Sequence, residues 1–148
     1  MPRDLRVNVG TAGILVEWDR LLRPDGRPDA ILCMRRHPEH DHCGGDWQFP
    51  GGWLDFGEQP GDGVAREFKE EVGLEVVAAT SPLFAVASTY EDPERHIVTL
   101  FYEVVQVHPG EPRNMEPDKA DYVEFLRWAE LEDGRPLMPP VAQYLGGR

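Results

Sequence analysis

The spacing of apolar and polar residues predicts short strands near the start of the chain. Apolar residues alternate partly with polar ones over residues 5–18, which predicts a strand with a bend or bulge at Gly10 and Gly13. Residues 19–29 are rich in proline, glycine and arginine and predict a hairpin-type excursion. The apolar run at residues 30–34 predicts a second strand.

A helix is predicted where the apolar spacing changes to every fourth residue. Val64, Phe68 and Val72 fall on one face of such a helix. Gly73 is well placed for a left-handed C-cap, and Pro60 suits the first helical turn. Because the glycines between Pro60 and Val64 are poor helix formers, we expect a late or frayed start.

The remaining pattern predicts a mixed sheet with a few helices. Residues 35–45 predict a loop, and residues 47–52 a very short strand closed by a Pro-Gly-Gly turn. Further strands are predicted at residues 75–79, 83–90, 96–107 and 122–128. The high apolar density of residues 96–107 favours a central strand buried on both faces. A polar loop at 109–120, a helical turn at 129–133 and a short helix at 141–145 complete an α/β (α+β) chain, expected to form one domain over residues 1–148.

Composition narrows the classes of partner. The chain has 27 acidic and 15 basic residues, a net charge of −12, and no basic stripe that would bind a nucleic-acid polymer. A small phosphorylated substrate is compatible with this charge if a metal ion supplies positive charge locally. No run of about 18 apolar residues predicts a membrane span, and no signal-peptide pattern is present, so a cytoplasmic protein is expected. Cys33 and Cys43 are expected to be reduced thiols.

Three glutamates on the predicted helix point to a metal ion. Glu67, Glu70 and Glu71 are spaced i, i+3 and i+4, so their like charges lie on one arc of the helix and repel one another. Ligands that offer only oxygen atoms suit a hard divalent cation such as Mg²⁺, with Mn²⁺ as a substitute.

These glutamates belong to a longer motif that resembles the Nudix box. The pattern G-x5-E-x7-R-E-U-x-E-E-x-G-U, in which U is a bulky aliphatic or aromatic residue, is matched at every fixed position: Gly52, Glu58, Arg66, Glu67, Phe68, Glu70, Glu71, Gly73 and Leu74. The flanks at residues 47–52 and 54–58 resemble the MutT-like branch, which acts on nucleoside triphosphates. Residues 114–119 are similar to a segment of vertebrate enzymes that hydrolyse (deoxy)guanosine and thiopurine triphosphates.

The resemblance implies a fold, a bond type and roles for individual residues. It implies a Nudix-type α/β/α sandwich around a central mixed β-sheet, and hydrolysis of a nucleoside diphosphate linked to a group X. By position, the metal would be held by Glu67, Glu70, Glu71 and the Gly52 carbonyl, with Glu58 in support. Arg66 would pair with a neighbouring glutamate of the box and orient it. The general base would be Glu70 or Glu71, with Glu116 as a candidate outside the box.

Several alternatives remain open at this stage. The leading hypothesis is Mg²⁺-dependent hydrolysis of a (deoxy)nucleoside triphosphate to monophosphate and pyrophosphate, with modified nucleotides among the candidate substrates. The alternatives are another nucleoside diphosphate-X, such as a nucleotide sugar or dinucleotide, and a ligand-binding module without turnover. The sequence leaves open the nucleobase and a homodimeric state, which is frequent among relatives.

Residues around the box have candidate roles of their own. Trp53 and Asn114 are candidate contacts for the nucleotide, since Trp53 stands where relatives often carry histidine or a charged residue. One aromatic ring could stack on a base, although core packing is the better interpretation of each candidate. The candidates are Trp18, Trp47, Trp128, Phe84 and Phe101. The cluster His37, His40, His42 and Cys43 is read as a zinc site, a loop near the substrate pocket, or a solvated loop.

Overall fold

The computed structural model describes residues 6–17, 30–40, 42–91 and 94–146. In chain order its elements are β1 (Val7–Ile14), β2 (Val16–Glu17), β3 (Ala30–Arg36), β4 (Trp47–Gln48), β5 (Gly51–Trp53), α1 (Pro60–Val72), β6 (Val76–Ala78), β7 (Phe84–Glu91), β8 (Glu94–Gln106), β9 (Ala120–Arg127), α2 (Trp128–Leu131) and α3 (Pro139–Gly146). The excursion predicted at residues 19–29 and the ring of Trp18 lie outside the described residues.

The strands form two sheets with mixed strand directions. In the first, β5, β1, β8 and β6 are neighbours in that order, and β7 pairs along the first part of β8. The β1–β8 pair is parallel, whereas β5, β6 and β7 pair antiparallel to their neighbours. In the second sheet β3 pairs with β2, β4 and β9, all antiparallel. The predicted mixed sheet is confirmed.

Helices pack on both sides of this arrangement. The apolar face of α1, formed by Val64, Phe68 and Val72, packs in one core cluster with Leu32 and Tyr102. On the other side α3 contributes Val141 and Tyr144 to a second cluster, where the Tyr144 ring stacks on Phe101 with 5.1 Å between ring centroids. This is the α/β/α layering that the sequence predicts. Trp47, Trp128 and Phe84 also belong to or pack against this second cluster, as expected for core rings.

Helix α1 begins earlier than its glycines suggest. Pro60 is its first residue, Gln59 is the N-cap, and the Gly63 N–H donates to the Gln59 carbonyl at 3.0 Å, so the predicted late start is wrong. Gly63 allows close packing there, because a Cβ at this position would lie 2.6 Å from Cδ2 of Leu54. At the other end Gly73 adopts φ 70° and ψ 18°, which confirms the left-handed C-cap.

The predicted bend in the first strand lies further along the chain than the glycines suggest. β1 pairs with β8 in unbroken register from Val7 to Ile14, so Gly10 and Gly13 lie inside a regular strand. The interruption comes at Leu15, after which β2 joins the second sheet. Their lack of a side chain serves packing: a Cβ on Gly13 would lie 2.2 Å from the Phe68 ring, and one on Gly10 would lie 3.3 Å from the Gly52 carbonyl.

Three other predictions need correction. β3 continues to Arg36, into the predicted loop, because Arg35 and Arg36 pair with β9. Gly51 and Gly52 belong to β5 rather than to a turn, since they pair with β1. β8 is central, but it is not buried on both faces throughout, because Val105 near its end is 65% exposed. The other predicted elements are present, with their ends displaced by one or two residues.

Cys33 is buried in the core, and its thiol donates to the Ile31 carbonyl at 3.4 Å. Both cysteines are free thiols, as predicted. Across the described residues, no helix combines the length and apolar character that crossing a membrane would need.

Candidate active site

A cavity of about 490 Å³ lies between the two sheets and the glutamate-bearing face of α1. Its walls include the following residues from β1, β5, α1, β8 and the loop before β9: Thr11, Gly52, Glu67, Glu71, Thr99 and Glu116. Glu116 is 45 residues from Glu71 in the sequence, and the fold brings both carboxylates to this cavity. The cavity is therefore the candidate active site.

Two carboxyl groups of α1, those of Glu67 and Glu71, lie at the wall of this cavity. Glu71 is 8% exposed and accepts a hydrogen bond from the Gly51 N–H at 2.9 Å. The Glu67 carboxylate lies against Gly52, where a Cβ would be 2.6 Å from its Oε1 atom, so position 52 requires glycine. The two carboxyl groups also interact with each other, since each shifts the pKa of the other.

Burial changes the acidity of this pair. It raises the pKa of Glu71 well above the ordinary glutamate value, and the charge of Glu67 raises that pKa further. Burial also raises the pKa of Glu67, although the neighbouring Arg66 opposes this shift. In the absence of a cation, the pair therefore holds a proton at a higher pH than isolated glutamates would.

Arg66 holds several carboxylates of the box in place. Its Nε and Nη2 donate to the two oxygens of Glu58 at 2.8 and 3.0 Å, and its Nη1 donates to Glu67 at 3.0 Å and to Glu70 at 3.2 Å. Nη2 also donates to the Trp53 carbonyl at 3.0 Å. The hydrogen bonds from Arg66 lower the pKa of Glu58, and those to Glu58 raise the pKa of Arg66. The predicted pairing of Arg66 with a neighbouring glutamate is present.

The predicted site residues divide into two groups by position. Gly52, Trp53, Glu67, Glu71 and Glu116 line the cavity. Glu58, Arg66, Glu70 and Asn114 are not part of its lining.

The side chains of the second group make contacts outside the cavity. Glu58 has both oxygens bound by Arg66 and accepts a further bond from the Asp55 N–H at 3.0 Å. Glu70 has a side chain that is 52% exposed, and it pairs with Arg66. Asn114 uses both ends of its amide within its own loop, since Nδ2 donates to the Ala120 carbonyl and Oδ1 accepts from the Glu116 N–H.

Sequence reasoning missed several residues of the cavity wall. Lys119 lines the cavity, and its Nζ lies 2.9 Å from Oε2 of Glu116, a contact that raises the pKa of Lys119. Arg36, from the end of β3, and Arg95, from the start of β8, also line it. Their spacing in the sequence gave no signal, because these residues meet only after the strands have paired.

A match to a family model identifies the protein family of this chain. The model of the NUDIX domain matches residues 20–145. The chain belongs to the Nudix family.

Curated relatives and solved structures agree with this assignment. The chain is 33% identical over 112 residues to the 8-oxo-dGTP diphosphatase of Escherichia coli (strain K12), a match that covers 74% of this chain and 81% of that protein. It is 39% identical over 73 residues to the 8-oxo-dGTP diphosphatase of Proteus vulgaris, covering 49% of this chain and 62% of that protein. The crystal structure of a MutT NUDIX hydrolase from Burkholderia pseudomallei is similar with a TM-score of 0.73 and 26% identity, and the match covers 95% of this chain and 97% of that chain.

These likenesses make the chain a Nudix hydrolase, an enzyme that cleaves pyrophosphate bonds. Nudix enzymes as a family use a divalent metal ion and act on small nucleotide substrates.

The donors of this Nudix site fit such an ion. Glu67, Glu71 and Glu116 offer carboxylate oxygens to one cavity beside Gly52, a set of hard oxygen donors that suits a divalent cation. Among the described residues no three His, Cys, Asp or Glu side chains form a ready-made metal cage. One reason is that Arg66 binds two further carboxylates, those of Glu58 and Glu70, and holds them away from the cavity wall.

The histidine-rich loop of this Nudix chain lies beside the cavity. His40 and His42 line it, and the His42 ring packs edge-on against Tyr90 with 4.6 Å between centroids. Of the three interpretations of this loop, the structure agrees with a loop near the substrate pocket. Within the part of the chain that is described, its His and Cys side chains form no metal-holding group.

Proposed function

We propose that this Nudix hydrolase converts a (deoxy)nucleoside triphosphate to the monophosphate and pyrophosphate with Mg²⁺, and that oxidised guanine nucleotides are among its substrates. The observation that carries the proposal is the meeting of Glu67, Glu71 and Glu116 at one cavity beside Gly52. The volume of about 490 Å³ lies within the range of roughly 300–1,000 Å³ typical of small-molecule sites. The 8-oxo-dGTP diphosphatase activity of the two relatives supports this choice of nucleotide.

The proposed metal ligands are Glu67, Glu71 and the Gly52 carbonyl. When bound there, Mg²⁺ neutralises phosphate oxygens, polarises the phosphoryl group and lowers the pKa of a water molecule. Arg66 orients Glu67 by the 3.0 Å hydrogen bond and keeps Glu58 and Glu70 beside it. Lys119 and Arg36 offer positive charge to the phosphates from the cavity wall.

Glu116 is the proposed general base. It lines the cavity, whereas Glu70 is half exposed and bound to Arg66. Its neighbour Lys119 pairs with it, with Nζ 2.9 Å from Oε2 of Glu116. General-base assistance of this kind typically contributes about 10²–10⁴-fold in rate. Glu71, which also lines the cavity, is the alternative base.

Product analysis tests this proposal. Purified protein with Mg²⁺ is incubated with 8-oxo-dGTP, the normal (d)NTPs, nucleotide sugars and dinucleoside polyphosphates, and products are separated by chromatography. We expect monophosphate and pyrophosphate from a triphosphate, and a loss of turnover in Glu71→Gln. Glu75→Gln is the matched control, because Glu75 is exposed and contacts His108 outside the cavity. Absence of turnover on every triphosphate above the Glu71→Gln level would refute the proposal, and turnover confined to sugars or dinucleotides would replace its substrate.

A further inference from the structure

The loop that carries Glu116 is attached to the end of α1. The Arg113 N–H donates to the Val72 carbonyl at 2.9 Å, and the Met115 N–H donates to the Glu71 carbonyl at 3.0 Å. The last carbonyls of a helix have no partner within the helix, so these two bonds satisfy groups that would otherwise need water. The backbone on either side of Asn114 is thereby fixed to the helix that carries Glu67 and Glu71.

The side chain of Asn114 closes the same loop from within. Its Oδ1 accepts from the Glu116 N–H at 3.1 Å, and its Nδ2 donates to the Ala120 carbonyl at 2.8 Å. Ala120 is buried and begins β9, and the neighbouring Lys119 carbonyl accepts from the His37 N–H at 2.9 Å. One amide therefore joins the residue that faces the cavity to the start of a core strand.

We propose that Asn114 is a positioning residue, which fixes Glu116 relative to Glu71 rather than contacting the nucleotide. This inference rests on the proposed pyrophosphohydrolase function. Both hydrogen-bonding groups of the amide are used inside the loop, and Asn114 is absent from the cavity wall. Alanine at this position provides neither bond, so Glu116 gains freedom to move while the glutamates of α1 stay in place.

A double-mutant cycle in steady-state kinetics tests the coupling. Asn114→Ala is expected to lower kcat by about 10-fold or more and leave KM within about twofold, as for other residues that orient a reacting group from behind. In the Glu116→Gln background the same change is expected to have no further effect on kcat, because the group it positions has lost its role. An equal fall in both backgrounds, or a rise in KM with kcat unchanged, overturns the inference.

The matched control is Gln106→Ala. Gln106 also uses a side-chain amide to hold a loop, donating to the carbonyls of His108 at 3.3 Å and Gly110 at 3.0 Å, and it does not line the cavity. The kcat of Gln106→Ala is expected to stay within about twofold of the wild-type value. If Asn114→Ala does not fold, Asn114→Asp takes its place in the cycle, because it keeps the acceptor for Glu116 and loses only the donor to Ala120.

Hydrogen exchange separates this inference from the proposed function. Exchange in a peptide covering residues 113–120 is expected to be faster in Asn114→Ala than in wild type, and unchanged in Gln106→Ala. This readout needs no substrate, so inactivity of the wild type on every nucleotide would refute the proposed function without deciding the loop contact. Unchanged exchange in Asn114→Ala overturns the positioning role whether or not the enzyme is active.

Discussion

Arg66 shows how one side chain can set the geometry of several others. It contacts Glu58, Glu67 and Glu70 together with the Trp53 carbonyl. A guanidinium can do this because its donors are arranged in a rigid planar fork, whereas the ammonium of lysine is a point charge. The arginine of the box therefore acts on the shape of the site and not only on its charge.

Replacing Arg66 by lysine is expected to lower kcat by about 10–100-fold with little change in net charge, because lysine cannot hold Glu58 through two atoms and Glu67 at once. Steady-state kinetics on the preferred nucleotide measures this. Arg135→Lys is the control, since Arg135 makes a comparable pair with Asp133 outside the cavity wall. Activity of Arg66→Lys equal to that control would show that charge alone is sufficient.

The acidity of Glu71 makes stability depend on pH when no metal is bound. Its pKa is raised in the folded state, mainly by burial, above the ordinary value of about 4.5. Between the ordinary pKa and the raised pKa of the folded state, the native protein binds more protons than the unfolded protein. The free energy of unfolding therefore falls as pH rises through this range. Glu71→Gln removes this titration and keeps an oxygen for the Gly51 N–H.

In EDTA, Glu71→Gln is therefore expected to be more stable than wild type near neutral pH, with the difference shrinking as pH falls towards about 4.5. Thermal unfolding by circular dichroism across this range measures the effect, and Glu75→Gln is the exposed control. Parallel stability curves for wild type and Glu71→Gln would contradict the raised pKa.

At the scale of elements, α1 is held by close contact with β1. The Phe68 ring is fully buried and occupies the space where Gly13 lacks a side chain, with only 2.2 Å between a Cβ at position 13 and the ring. Helix and strand can approach this closely only with glycine in the strand, and the approach brings the glutamates of α1 to β5. Packing of the apolar face of α1 thus fixes the position of its glutamate-bearing face.

Gly13→Ala is expected to destabilise the protein by about 1–3 kcal/mol through overpacking against Phe68. In a Phe68→Leu background, where the ring is gone, the same change should cost much less. Urea unfolding gives the four free energies of this cycle, and Gly146→Ala, which meets open space, is the control. Equal costs in both backgrounds would show that the contact with Phe68 is not the cause.

At the scale of the whole molecule, acidic charge concentrates where strands and helix meet. The net charge is −12, and Glu67, Glu71 and Glu116 line one cavity. Bringing like charges together lowers the free energy of unfolding. A cation that binds only the folded state raises it again. The proposed metal site therefore predicts that metal binding and stability are coupled through this cavity.

Mg²⁺ is expected to raise the Tm of wild type and to have little effect on the double variant Glu67→Gln and Glu71→Gln. A metal present at about 100 times its Kd adds roughly 2.7 kcal/mol to the stability of the folded state. Differential scanning calorimetry measures this, with NaCl at matched ionic strength to separate binding from screening. An equal rise in both proteins would place the effect outside these two glutamates.

The sequence predicted those parts of the fold and of the site that depend on neighbouring residues. The face formed by Val64, Phe68 and Val72 follows from helical periodicity, and the C-cap at Gly73 follows from the conformational freedom of glycine. The late start of α1 was predicted wrongly, because propensity takes no account of the room that Gly63 leaves for Leu54. Local rules fail where a tertiary contact outweighs them.

From the sequence alone, the resemblance of residues 52–74 to the Nudix box implies the class of bond that is cut, because all the residues of the box are close together in the chain. Which carboxylates face one cavity depends on the tertiary structure: it brings Glu116 and Lys119 to Glu71, and it turns Glu58 and Glu70 towards Arg66. It also showed that Asn114 serves its own loop. The physical reason is that spacing along a chain fixes neighbours within a turn of helix or strand, whereas contacts between distant segments depend on how the sheets pair and what the core must bury.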